Sequence, residues 1–132
     1  MKYAVLSGRF LYSLIFIMAI TFHFTQKAAD YAASNGVPAS GFLVPAAGVL
    51  AFLGGVSILL GLRAKIGAWM LVLFLIPVTF YMHAFWKETD PMKTQMQQSN
   101  FMKNISLLGA ALIISYFGSG PLSLDNKLAE NK

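Results

Sequence analysis

Phe80–Gly109 reads FYMHAFWKETDPMKTQMQQSNFMKNISLLG, and its two changes of character decide the fold. An apolar segment closes on His83 and Trp86, a polar connection follows, and a second apolar segment opens with Lys103 and Asn104. Apolar runs with polar and aromatic ends mark helices that cross a bilayer and turn at its surface. Working outward, the same pattern recurs. Apolar runs lie at about residues 4–25, 41–62 and 66–86, and a last one at about 101–117. Each is close to the roughly 20 residues that a spanning helix needs. The chain is therefore read as one all-α domain over residues 1–132, an integral-membrane four-helix transmembrane bundle with a polar tail from 118 to 132.

Composition agrees. With 57% hydrophobic and 11% charged residues, the chain could not cover the surface of a soluble globule, whereas lipid needs no such cover. The net charge of +5 comes from Lys and Arg scattered at segment ends, which suits topology determinants and not a nucleic-acid footprint. Cysteine is absent, so a disulfide, a thiol relay or a cysteine-held cluster cannot form within this chain. No HxxxH spacing, P-loop, dinucleotide fingerprint or nucleophile elbow occurs, and no acidic residue lies inside a span. No metal site is expected, and no cofactor is evident from motifs.

The first run carries an ordered face. Arg9, Ser13, Phe16, Ile20 and His23 follow steps of three and four, and Lys27 falls about five turns beyond Arg9. Arg9 interrupts the apolar stretch that a cleaved signal peptide would need. As a residue of a permanent span it has two available environments: headgroups reached by snorkelling, or the bundle interior with carbonyl or Asn partners. Gln26–Ser40 reads as a polar, alanine-rich connection with a turn at Asn35-Gly36-Val37-Pro38, Ser40 as N-cap and Pro45 in the first turn of the next helix. In the second run Ala47, Ala51 and Gly55 recur every four residues, the small-residue spacing that lets helices approach closely in lipid.

Gly61–Gly67 is a tight hairpin bearing Arg63 and Lys65. Pro77 predicts a kink in the third span, beyond which Thr79, His83 and Trp86 share a face. Lys87–Asn100 is compatible with a surface helix or an irregular loop. In the last run Asn100, Asn104, Leu107, Ala111 and Ser115 line one face, Gly118–Pro121 ends the helix, and the tail is expected to be loose after Asp125.

Four spans leave both termini on one side. That side holds Lys2, Arg63, Lys65, Lys127 and Lys132, the other Lys27, Lys87, Lys93 and Lys103. The short basic hairpin makes the first side cytoplasmic. His23, Lys27, His83, Trp86, Asn100, Lys103 and Asn104 then gather near the outer face, from three helices, as the candidate ligand-binding residues. Polar ends converging over a bundle suit a small amphiphile, and His83 is suited to exchange a proton near neutral pH. Against this, helix ends are polar wherever headgroups and water are, and Trp86 also suits an aromatic belt.

Several short motifs have a characteristic order: Gly8-Arg9, His23 followed by Lys27, Gly36-Val37-Pro38, GGVSILLGLR at Gly54–Arg63, His83-Ala84-Phe85-Trp86, Gln98 with Asn100-Phe101 and Lys103-Asn104, Leu108-Gly109, and GPLSLD around Pro121–Asp125. In that order and spacing, over almost the whole chain, they resemble the DoxX family. The resemblance implies a multi-pass four-helix protein of the bacterial inner (cytoplasmic) membrane. Its name-giving relatives belong to a thiosulfate:quinone oxidoreductase, and others are associated with oxidative or thiol stress. By that resemblance the protein is a membrane subunit or accessory factor in redox or oxidative-stress metabolism, at most a subunit of a quinone-linked oxidoreductase. Its implied ligand is a quinone or similar amphiphile, and its implied partner a soluble oxidoreductase or a larger membrane complex. Two alternatives stand beside it. One is a non-catalytic anchor that recruits a soluble partner through Lys87–Asn100 or the termini. The other is a small exporter, which requires a homo-oligomer built on faces such as Ala47/Ala51/Gly55. Many relatives carry an acidic residue near the position of Ala51; its absence here weakens the case for proton handling.

Overall fold

In the computed structural model, which describes residues 1–130, four helical spans are long and apolar enough to cross a membrane. The first is α1 (Lys2–Met18) continued by the short α2 (Ile20–His23). The second is α4 (Ser40–Leu60), the third α5 (Ala64–Met82) prolonged by a 3-10 turn at Phe85–Lys87, and the fourth α6 (Pro91–Phe117). A surface helix, α3 (Gln26–Ser34), joins the first two spans, and α7 (Leu124–Glu130) follows the last. Lys132, counted above among the cytoplasmic charges, lies outside the described residues.

The spans pack in succession, α1 on α4, α4 on α5 and α5 on α6, while α2 and α3 also lean on α4. Small residues set this order. A Cβ on Gly54 would lie 2.9 Å from the Gly67 carbonyl oxygen of α5, and one on Gly55 would lie 3.1 Å from the Phe16 Cβ of α1. Adjacent glycines thus let α4 press against a different neighbour on each side, as small residues do in lipid, where packing and not water expulsion holds helices together. Phe16, Ala51, Ile58, Ala68, Leu71, Leu75 and Ala111 form the shared core. The seam between α1 and α6 is looser, and the Tyr12 hydroxyl crosses it to donate to the Leu107 carbonyl at 2.8 Å.

Several boundaries differ from the sequence reading. The connection after the first span is mostly helix: the Thr25 hydroxyl accepts from the Ala28 N–H at 3.2 Å, and α3 buries Ala28, Ala29 and Ala32. The alanines read as linker are its packing face. Ala39, not Ser40, is the N-cap of α4, in a left-handed conformation (φ 46) with no side-chain cap, which sets Pro45 beyond the first turn. The turn itself is present, with Gly36 at φ 85. Pro77 lies inside α5, in the interior position read from sequence. The polar stretch before the fourth span resolves into α6 itself, begun by Asp90, whose carboxylate accepts from the Lys93 N–H at 2.9 Å, with Pro91 in the first turn where a missing N–H costs nothing. At 27 residues, α6 is about 40 Å long, roughly 10 Å more than a hydrocarbon core, so its amino end stands clear of the apolar layer.

As far as Glu130, the tail is not loose after Asp125. It forms α7 and a clasp over the α4–α5 turn. Arg9 is 4% exposed and faces the bundle, donating through Nη1 to the Ser119 carbonyl at 3.0 Å and through Nη2 to the Leu122 carbonyl. The Asp125 carboxylate accepts from the Arg63 N–H at 2.8 Å and the Ala64 N–H at 3.4 Å, filling the place of an N-cap for α5. The Asp125 N–H donates to the Gly61 carbonyl at 2.9 Å, and Ser119 Oγ donates to Asp125 Oδ2 at 3.3 Å. Of the two environments open to Arg9, the interior is occupied, with carbonyls as partners. Its Nε and the nearby Ser13 hydroxyl are buried without a partner among the described residues.

Candidate functional site

At the opposite end of the bundle, in the seam that α1 and α6 leave open, lies a cavity of about 330 Å³. This is near the lower end of ligand-sized sites. Its wall is mainly apolar, with Phe16, Phe22, Phe74 and Leu107 among the lining residues. The polar groups on it come from three spans and α3: His23, Tyr31, His83, Lys103 and Asn104.

Each is positioned by its helix. His23 ends α2, and its Nδ1 lies 2.7 Å from the Ala19 carbonyl one turn back. It rests on bare backbone, because a Cβ on Gly48 would come within 2.4 Å of the His23 Cβ. The ring leans on Phe74, with centroids 5.7 Å apart. His83 is the C-cap of α5, where the helix stops because the next residues turn into a 3-10 segment. Its Nδ1 is 2.8 Å from Gln97 Oε1, and Gln97 Nε2 donates to the Tyr31 hydroxyl at 3.0 Å. This relay ties α5, α6 and α3 together beside the cavity. Asn104 is 6% exposed and its amide has no hydrogen-bond partner among the described residues. The amide is not among the side-chain groups buried out of reach of solvent, so on the cavity wall it is open to a ligand or water.

Of the seven outer-face residues singled out from sequence, the structure gathers His23, His83, Lys103 and Asn104 around this cavity. Lys103 is exposed at the rim, its Nζ 3.4 Å from Asn100 Oδ1. Asn100 touches the site only through that contact. Lys27 is exposed on α3 and does not line the cavity. Trp86 does not share a helix face with Thr79 and His83, because α5 has ended by Met82. It packs instead on Phe80, Phe85 and Phe101, with ring centroids 5.2–6.5 Å apart, and is 54% exposed, as an interfacial aromatic is. Arg9 belongs to the clasp at the other end.

Tyr31, Gly48 and Gln97 were missed. Gln97 had a signal: Gln97, Asn104 and Ala111 are seven residues apart, and they are the buried residues of α6. The stripe is visible only once the helix is allowed to begin before residue 97. Among the described residues no group of three or more His, Asp or Glu is placed to hold a metal ion.

Comparisons with known proteins agree with this architecture. A family model described as DoxX matches residues 4–84. The inner membrane protein YqjF of Escherichia coli (strain K12) is 31% identical over 126 residues, covering 94% of this chain and 91% of that protein. No solved structure matches. With a matched family, a full-length inner-membrane relative and four spans of its own, the chain is a multi-pass inner-membrane protein belonging to the DoxX family.

Proposed function

We propose that the protein is a membrane subunit or accessory factor in redox or oxidative-stress metabolism that holds a quinone or similar amphiphile in the cavity between its first, third and fourth spans. The observation that carries this reading is the cavity wall, where the Asn104 amide and two imidazoles stand on an aromatic lining. An apolar ring fits such a wall, and the few polar groups orient it. In this reading both termini, the basic hairpin and the Arg9 clasp are cytoplasmic, and the cavity lies toward the outer face.

Purified protein in mild detergent, extracted with organic solvent, is expected to release a lipid-soluble quinone, and added short-chain quinone is expected to raise the melting temperature. His83→Ala and Asn104→Ala should each abolish that rise while leaving the unliganded melting temperature close to that of the parent. An extract free of quinone, with no thermal response to either redox form, would sink the reading. The orientation has its own test. A reporter fused after Lys132 should read cytoplasmic and one inserted near Asn35 external, and the reverse pair would move the cavity to the inner face.

A second reading, an anchor for a soluble partner, is favoured by one observation. The amino end of α6 stands beyond the apolar layer with Met92 and Met96 exposed one turn apart. Replacing residues 91–96 by a helix of Ala, Glu and Lys would abolish complex formation under this reading and leave ligand binding intact.

A further inference from the structure

At the end of the bundle away from the cavity, Arg63 and Lys65 stand on the turn between α4 and α5, and that turn is held from both sides. Ser57 Oγ donates to the Leu62 carbonyl at 2.7 Å and lies 3.3 Å from the Arg63 carbonyl. The Asp125 carboxylate takes the Arg63 and Ala64 N–H groups and the Ser119 hydroxyl. Three donors therefore answer its charge, and none of them belongs to a basic side chain. The Arg63 guanidinium and the Lys65 ammonium have no hydrogen-bond or carboxylate partner among the described residues, and both side chains are exposed.

Two basic residues on a hairpin are what topology alone supplies. The surroundings add more. Both residues border a cleft of about 630 Å³ between the start of α5 and the end of α6, whose wall also carries Ile66 and Phe117. The Lys65 stem reaches across to α6, since a Cβ on Gly118 would lie 3.3 Å from Lys65 Cε. Phe117 is 75% exposed, and Ile66 and Trp69, one and four residues past Lys65, are exposed as well. Positive charge in the first turn of a span, with bare apolar surface beside and below it, matches a phospholipid: phosphate at headgroup level, acyl chains along the helix.

We propose that this cleft binds one anionic phospholipid, with its phosphate between Arg63 and Lys65 and its acyl chains on Ile66 and Phe117. The guanidinium fork suits two phosphate oxygens at once, and the ammonium adds a point charge. A zwitterionic lipid carries its own cation to the same place and meets two like charges, so it is rejected. A lipid held here touches the turn that the Asp125 clasp secures, and any ligand that binds only the folded protein raises its stability. The site lies apart from the outer cavity, and neither depends on the other.

The test adds dioleoylphosphatidylglycerol, dioleoylphosphatidylcholine or inorganic phosphate to the purified protein in a neutral detergent. Native mass spectrometry counts the lipid retained, and thermal unfolding reads stability. Phosphatidylglycerol is expected to be retained as a single molecule, at least tenfold more tightly than phosphatidylcholine, and to raise the melting temperature. Basic groups near an anionic lipid contribute roughly fivefold each, so Arg63→Gln with Lys65→Gln should bring the ratio close to one. Lys65→Gln alone, at an exposed side chain, should lower it part of the way, and Lys65→Arg should keep it. Lys2→Gln with Lys127→Gln removes two charges from the same end of the bundle and should also keep it. Equal retention of the two lipids overturns the proposal, as does a ratio that survives both Lys65→Gln and the paired exchange. A ratio lost equally in the Lys2 and Lys127 pair overturns it too, because net charge and not the cleft then holds the lipid. So does an equal rise in melting temperature with inorganic phosphate at the same concentration, since the site then takes a soluble anion.

Discussion

Arg9→Leu is expected to lower the melting temperature more than any other single exchange of an intramembrane polar residue in this chain. The guanidinium serves two carbonyls of the tail, Ser119 and Leu122, from a site that is 4% exposed. Removing it leaves both acceptors without a donor, at about 1–3 kcal/mol for the buried Ser119 carbonyl and less for the part-buried Leu122 carbonyl. Taking a charge out of a low-dielectric site returns some of that, but it does nothing for the carbonyls. Arg9→Lys keeps the charge and loses the planar fork that reaches two acceptors at once, so an intermediate loss is expected. Gly61→Ala should act in the same direction. Gly61 sits at φ 64, where a side chain costs about 1–2 kcal/mol, and its new Cβ would overlap the Arg9 guanidinium and the Ser123 side chain. Thermal unfolding of the variants in one detergent decides the matter, and an Arg9→Leu protein as stable as its parent would show the clasp to be ornamental.

A large effect on ligand response is also expected from a residue that carries no functional group. Gly48 lies under His23 so closely that an added methyl would come within 2.4 Å of the His23 Cβ and 2.9 Å of its Cγ. The obstruction sits at the root of the side chain, where rotation about χ1 gives no escape, so α2 and the imidazole must shift together. Misplacement of a binding group by an ångström is enough to lose it. Gly48→Ala should therefore weaken the thermal response to short-chain quinone at least tenfold. Gly109→Ala is the matched comparison: it is also a glycine-to-alanine change inside a span, with nothing within 4 Å of the added methyl. It should leave both melting temperature and ligand response unchanged. Equal responses in the two variants would mean that His23 plays no part in binding.

The spans were legible because lipid imposes one rule on every residue of a crossing helix, and the runs around Phe16, Ala51, Leu71 and Ala111 obey it. The buried face of α1 was legible for a related reason, since Arg9, Ser13 and Phe16 stand out by step and by chemistry against apolar neighbours. What was not legible lies where polar segments fold. Thr25 caps a helix that its alanine-rich sequence lets pass for a linker, and Asp90-Pro91 starts a helix whose first ten residues look like solvent-exposed chain. Because the start of α6 was open, Asn100 was grouped with Asn104, and Gln97, which holds His83, was left out. Trp86 fell away for a local reason: Ala84 leaves helical geometry, and the next two residues, Phe85 and Trp86, turn their rings onto Phe101. The clasp was hidden most deeply. Arg9 donates there to main-chain carbonyls, which no side-chain pattern announces, and Asp125 accepts from the Arg63 N–H 62 residues away in sequence.

That clasp also orders events in time. Arg9 and its carbonyl partners are separated by 110 and 113 residues, nearly the whole chain. At about 5–20 residues per second, roughly 5–20 s pass between synthesis of the first span and synthesis of the groups that satisfy it. Throughout that interval the arginine sits on an apolar helix with nothing of its own chain to bind, and it must be kept at the lipid surface or by the insertion machinery. Completion of the bundle therefore waits for the last segment to leave the ribosome. A chain cut short before Ser119 carries all four spans and lacks both carbonyls that pair with Arg9.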